Sequence, residues 1–253
     1  MVNHTLKLGV PVAVAVLVSA GGCGSQGTSS SHVVVFAASS LKRAFTEIGQ
    51  QFLADNPDGD VEFSFAGSAD LLSQLTNGAP ADVFAPADAA TMDKAVAVGL
   101  TEGEPRPFAA NRLTLVVAPG NPKDVTSLQA LARPGLTVVL CAPQVPCGAA
   151  TKAVAAAAGV RLAAASEESQ VSDVLTKVTS GQADAGLVYL TDAIAAGPAV
   201  TAVDFPESAG AVNTYSIALL AGAARSAPAR AFRDFVLGAA GRNILASVGF
   251  AKP

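Results

Sequence analysis

The chain has 253 residues, 51% hydrophobic and 14% charged, with a formal net charge of -4, which is enough for one large domain or two lobes of about 100 residues each. No basic stripe or run of like charge occurs, and this excludes a phosphate-tracking nucleic-acid protein. Two His, three Cys, two Met and no Trp leave few side chains for metal ligation or proton shuttling, and His4 and His32 both lie outside the expected core.

In chain order, Lys7, an apolar stretch over 8–18 and small residues over 19–22 ahead of Cys23 read as an export signal. The stretch is too short to span a bilayer as a helix. It resembles a bacterial lipobox, so residues 1–22 are expected to be a signal peptide and Cys23 its lipidated end; a plain secretory signal cut nearby is the alternative. Residues 23–31 are Gly, Ser, Gln and Thr apart from Cys23, and read as a flexible tether. Gly22, Gly24 and Gly27 spell GxGxxG, but no strand precedes them and no helix follows.

From residue 33 strands and helices alternate. The β-branched run predicts a strand over 33–37, and helical spacing of Leu41, Ala44, Phe45, Ile48 and Phe52 predicts a helix over 41–53. A strand over 61–65, a helix over 69–76 capped by Ser68, a strand over 82–84 and a helix over 87–98 follow. The second set comprises strands over 113–118, 136–141 and 185–188, with helices over 127–131, 149–158 and 171–180. A strand over 214–220 then leads to helices over 229–237 and 242–248, expected to return to the first lobe. This is an α/β pattern with mostly parallel sheets flanked by helices. The expected division is a first lobe of 32–112 plus 213–253 and a second of 113–212, hinged near Arg112 and Asn213; no internal repeat is visible in the sequence.

Ligands of open α/β sheets bind beyond the carboxyl ends of strands. Four positions there offer hydrogen-bond donors: Ser39-Ser40, Ser68, Cys147-Gly148 and Tyr189. Helix N-termini aimed at one cleft hold a small anion without Lys or Arg. A fully deprotonated tetrahedral dianion only accepts hydrogen bonds, whereas monohydrogen phosphate carries a proton that wants an acceptor. A donor-only cleft therefore favours molybdate, tungstate or sulfate. Taken singly, each Ser is as well explained by helix capping and Tyr189 by packing.

The segments VVVFAASSL over 33–41, FSFAGS over 63–68, GAPADVFAPAD over 78–88, GLVYLTD over 186–192 and VGFA over 248–251 together resemble the molybdate-binding proteins of bacterial ABC importers. The resemblance implies a two-lobed periplasmic-binding fold with an oxyanion, molybdate or tungstate, held in the interlobe cleft and no further cofactor. It implies as ligands the hydroxyls of Ser40, Ser68 and Tyr189 and the backbone N–H groups of Cys147 and Val171, with Ser39 as a neighbouring donor. It also implies a monomer, tethered outside the cytoplasm, that delivers its anion to a membrane permease and binds no nucleic acid. Four positions depart from the pattern. Cys147 stands where Ala is usual, Gly67 and Ala69 flank Ser68 in place of hydroxyls, and Asp70 would repel a dianion if it turned into the cleft. With Cys23 lipidated, Cys141 and Cys147 are left as a pair expected to form a disulfide.

One enzyme reading competes. Ser39 and Lys42 fit SxxK, in which a Ser is activated by a Lys one turn on, but the companion Ser-Asp-Asn and Lys-Thr-Gly motifs are missing. A Ser-His-Asp hydrolase lacks a His in the core. Capture without catalysis is the expected activity. Sulfate or phosphate is the alternative ligand.

Overall fold

The computed structural model describes residues 1–2, 32–223 and 226–253. The expected signal, the Cys23 anchor and the tether lie outside the described residues. Residues 31–253 form one compact unit, built from ten strands and eight α-helices among the described residues.

The first sheet has the order β2-β1-β3-β10-β4, from β1 (His32–Ala38), β2 (Asp60–Ala66), β3 (Val83–Ala85), β4 (Thr101–Asn111) and β10 (Asn213–Leu220). The second has the order β7-β6-β8-β5-β9, from β5 (Leu113–Val117), β6 (Val138–Cys141), β7 (Ser166–Glu168), β8 (Ala185–Tyr189) and β9 (Thr201–Val203). The sheets share one plan that the sequence does not display as a repeat. In each, a parallel trio (β2, β1, β3 and β7, β6, β8) meets an antiparallel strand (β10 or β5) that enters from the opposite lobe. The sheets are thus mixed: in each, the crossing strand alone runs against the other four, which share the direction that the alternating pattern leads one to expect.

The helices are α1 (Lys42–Asp55), α2 (Ser68–Thr76), α3 (Ala89–Ala97), α4 (Pro146–Ala157), α5 (Val171–Thr179), α6 (Leu190–Ala196), α7 (Ala227–Leu237) and α8 (Ala239–Ser247). Helix α1 buries Ala44, Phe45, Ile48 and Phe52, the stripe that its sequence spacing presents. Phe232 of α7 meets Phe45 and Phe52 edge-on, with ring centroids 6.2 and 5.4 Å apart, which seats the C-terminal helices on the first lobe. Asp88 caps α3 by accepting the Thr91 N–H at 2.9 Å. Helix α4 starts at Pro146, whose missing N–H costs nothing in a first turn.

Strand β4 is the largest element that sequence patterning misses. Its sequence TEGEPRPFAAN holds Gly103, Pro105 and Pro107, breakers that read as a loop. An edge position pairs with one neighbour only, so β4 tolerates both prolines and takes register shifts against β10. Strands β7 and β9 escape notice because three residues carry no period. The turn expected as a helix over 127–131 is a 3-10 turn, Gln129–Ala132.

Candidate functional site

Strands β1, β2, β3, β6, β7 and β8 end at the junction of the lobes, and the turns that follow line one cavity. Lobe 1 contributes Ser39, Ser40, Gly67, Ser68 and Ala87, and lobe 2 contributes Pro146, Cys147, Ser169, Gln170, Val171 and Tyr189. All six residues singled out in the sequence therefore come together. Ser169, Gln170 and Ala87 were missed, since nothing in their local sequence marks them. The cavity is small, with an empty volume of ≈ 220 Å³ against ≈ 800 Å³ for the cleft beside Pro57 and Pro228. No lining residue is charged.

Each donor is placed by its backbone. Ser40 sits in the 3-10 turn Ser39–Leu41 that joins β1 to α1, buried, with Oγ 3.0 Å from the Tyr215 hydroxyl. Ser68 is the first residue of α2 and not its cap, a position taken by Gly67. The Ser68 Oγ instead accepts the Ala87 N–H at 3.0 Å, which leaves its own proton free to be donated. Cys147 and Val171 lie in the first turns of α4 and α5, where backbone N–H groups have no helical acceptor and the helix dipole favours an anion. Tyr189 closes β8 and leads into α6. It is 1% exposed, and its hydroxyl has no hydrogen-bond partner among the described residues. Burial pushes this phenol well above its ordinary value, so it stays a protonated donor. A buried, unpaired hydroxyl costs about 1–3 kcal/mol, a penalty that an incoming acceptor removes.

The lobes touch closely here. A Cβ on Gly67 would lie 2.4 Å from the Ser169 carbonyl oxygen of the other lobe, so only glycine fits. The absence of a hydroxyl at position 67 is thus the condition for contact. Cys141 and Cys147 are bridged, with Cα atoms 5.7 Å apart, and tie the end of β6 to the first turn of α4. Gly148 beside them packs against the Ala142 carbonyl, where a Cβ would lie at 1.8 Å.

The crossing strands reach the same turns. Asn213, opening β10, donates to the Ala87 carbonyl at 3.0 Å, so Ala87 is held on one side by a crossing strand and holds Ser68 on the other. Asn111, ending β4, donates to Thr191 of α6 at 2.8 Å, and the Arg112 carbonyl accepts the Leu190 N–H at 2.9 Å. Arg112 also reaches Ser208 at 3.0 Å and Asp204 at 3.3 Å.

Acidic groups stand back from the cavity. Asp70 is exposed and does not line it, so it is not turned into the cleft to repel a dianion. Glu168 is held below the ordinary carboxylate range by its hydrogen bond from Lys177. Asp192 accepts the Tyr189 N–H at 3.1 Å, and burial pushes its pKa up to about 7. Lys42 is exposed and outside the cavity wall, so the Ser39–Lys42 pair is not arranged as a nucleophile and base.

A small, uncharged, donor-lined cavity shared by two lobes on paired crossing strands defines a capture site for one solute. Residues 33–251 match the family described as bacterial extracellular solute-binding protein. The chain belongs to this family, and so works outside the cytoplasm. It is 52% identical over 240 residues to the molybdate-binding protein ModA of Mycobacterium tuberculosis, covering 91% of this chain and 92% of that protein. Against the molybdate-binding protein ModA of Escherichia coli K12 it is 32% identical over 231 residues, covering 86% and 88%. The periplasmic molybdate-binding protein of Azotobacter vinelandii shares the fold, with a TM-score of 0.77 at 24% identity over 87% of this chain and 99% of that one.

Proposed function

We propose that the chain captures molybdate, and tungstate with it, outside the cytoplasm and delivers it to the membrane permease of an ABC importer. The carrying observation is the uncharged, donor-lined cavity with the orphaned Tyr189 hydroxyl. The relative with 52% identity supplies the name of the ion. In this reading Ser40, Ser68 and Tyr189 donate through hydroxyls, Cys147 and Val171 through backbone N–H groups, and Ser39 is a neighbouring donor. In this reading the activity is binding and release. The lobes, 32–112 with 213–253 and 113–212, close on the ion by bending at Arg112 and Asn213. The protein acts as a monomer, with Cys23 as its lipid anchor to the outer face of the cell membrane.

Calorimetric titration with molybdate, tungstate, sulfate and phosphate tests the ligand. One-to-one binding of molybdate and tungstate with much weaker sulfate is expected, and Tyr189→Phe is expected to weaken molybdate about tenfold or more. Ligand at about 1,000 times its dissociation constant adds roughly 4 kcal/mol of stability, visible as a higher melting temperature. Preference for phosphate would overturn the reading. The anchor is checked separately by whether replacing Cys23 with Ser releases the protein from membranes.

A further inference from the structure

Tyr215 lies on β10, outside the cavity wall and fully buried. Its ring is fixed by edge-on contacts with Tyr189, Phe108 and Phe250, at centroid distances of 6.0, 6.4 and 5.3 Å. Its hydroxyl meets Ser40 Oγ at 3.0 Å. Each of these hydroxyls has one proton and two lone pairs, so one proton alone lies between them. If Ser40 donated to Tyr215, lone pairs would face the cavity and Ser40 would be an acceptor there. If Tyr215 donates, the Ser40 proton is left for the ligand.

The acidity of the two hydroxyls chooses the second arrangement: a phenol is the more acidic hydroxyl and the better donor, and burial keeps this one protonated.

We propose that Tyr215 is a specificity-determining positioning residue: by donating to Ser40 Oγ it fills one of that oxygen's two lone pairs and turns the serine proton to the cavity, so that the site disfavours tetrahedral oxyanions that carry a proton. Ser68 is set the same way by the Ala87 N–H, a backbone donor that no side-chain substitution removes. Tyr215 is the part of the device that mutation can reach. Without it Ser40 is free to rotate, and its lone pair can accept the proton of monohydrogen phosphate. This rests on the oxyanion reading above.

The test is calorimetric titration of the full chain, Tyr215→Phe, Ser40→Ala and the double variant, each with molybdate and with phosphate at about pH 8, where phosphate is mainly the monohydrogen dianion. Phe keeps the ring contacts, and Ser40→Ala probes the same pair from its other end. Tyr215→Phe is expected to weaken molybdate about five- to tenfold, to weaken phosphate less or strengthen it, and so to lower the preference for molybdate. In the Ser40→Ala background the same change should alter molybdate affinity by less than about twofold, because no serine remains to be oriented. Equal loss for both ions, or additive effects in the double variant, would show Tyr215 to be packing only and overturn the inference. A parent chain that binds neither ion would overturn the oxyanion reading itself, a result visible before any variant is made.

Discussion

The Tyr189 hydroxyl and the Asp192 carboxyl are neighbours with opposite electrostatic outcomes. Tyr189 stays neutral because burial disfavours the phenolate, and it waits for an acceptor. Asp192 is raised from 3.8 to about 7 by burial, with the Tyr189 N–H pulling in the other direction. The unfolded chain therefore ionises Asp192 near its ordinary value, while the folded chain keeps its proton up to about pH 7. Between those values the folded state binds the extra proton, so this contribution to stability is full below about pH 4 and is lost as pH rises through about 7. The melting temperature of the anion-free protein is expected to fall between about pH 5 and about pH 8, and Asp192→Asn to flatten that fall. An unchanged slope in the variant would assign the pH dependence to other groups.

At the scale of elements, two short connections brace the turns that line the cavity. The Cys141–Cys147 bridge closes a loop of sequence separation 6, worth about 2 kcal/mol by loop-closure entropy. Reduction, or replacing both cysteines with Ser, is expected to lower the melting temperature and to weaken molybdate several-fold, because the Cys147 N–H loses its brace. Titration in the presence and absence of reductant checks this. The Gly67 turn makes a sharper prediction. Gly67→Ala places a Cβ against the Ser169 carbonyl of the other lobe, so closure is obstructed while the lobes themselves are untouched. Affinity should drop by about tenfold or more at nearly unchanged melting temperature of the ion-free protein, since the clash exists only when the lobes meet. Helices α1, α2, α5 and α7 could be read in the sequence because each shows one to its core a periodic apolar face. Strand β4 could not, because its prolines are excluded from sheets in general and admitted at this edge in particular.

For the whole molecule, both sheets hang on the crossing strands, and both crossing points are bonded to the turns of the cavity. Asn111 and Arg112 are thus bonded beside Tyr189, and Asn213 is bonded beside Ser68 through Ala87. In the described arrangement Gly67 lies directly against the Ser169 carbonyl. Without an anion, the unpaired Tyr189 hydroxyl and free helix N-terminal N–H groups gain hydration by opening. Small-angle scattering is expected to show a smaller radius of gyration with molybdate than without it. Identical profiles under saturation would mean that the lobes do not move on capture.

Much of the outcome was present in the sequence by itself. Short-range periodicity fixes the alternation of strands and helices, and small polar residues after strands mark Ser40, Ser68 and Cys147 as candidate donors, because both signals are carried by residues adjacent in the chain. Tertiary structure decided the remainder. It made the sheets mixed, brought Ser169 and Gln170 to the cavity, required glycine at 67 and placed Tyr215 behind Ser40. These are relations between residues far apart in sequence, such as the 175 positions that separate Ser40 from Tyr215. No local pattern encodes them, because they arise only when two lobes and their crossing strands pack together.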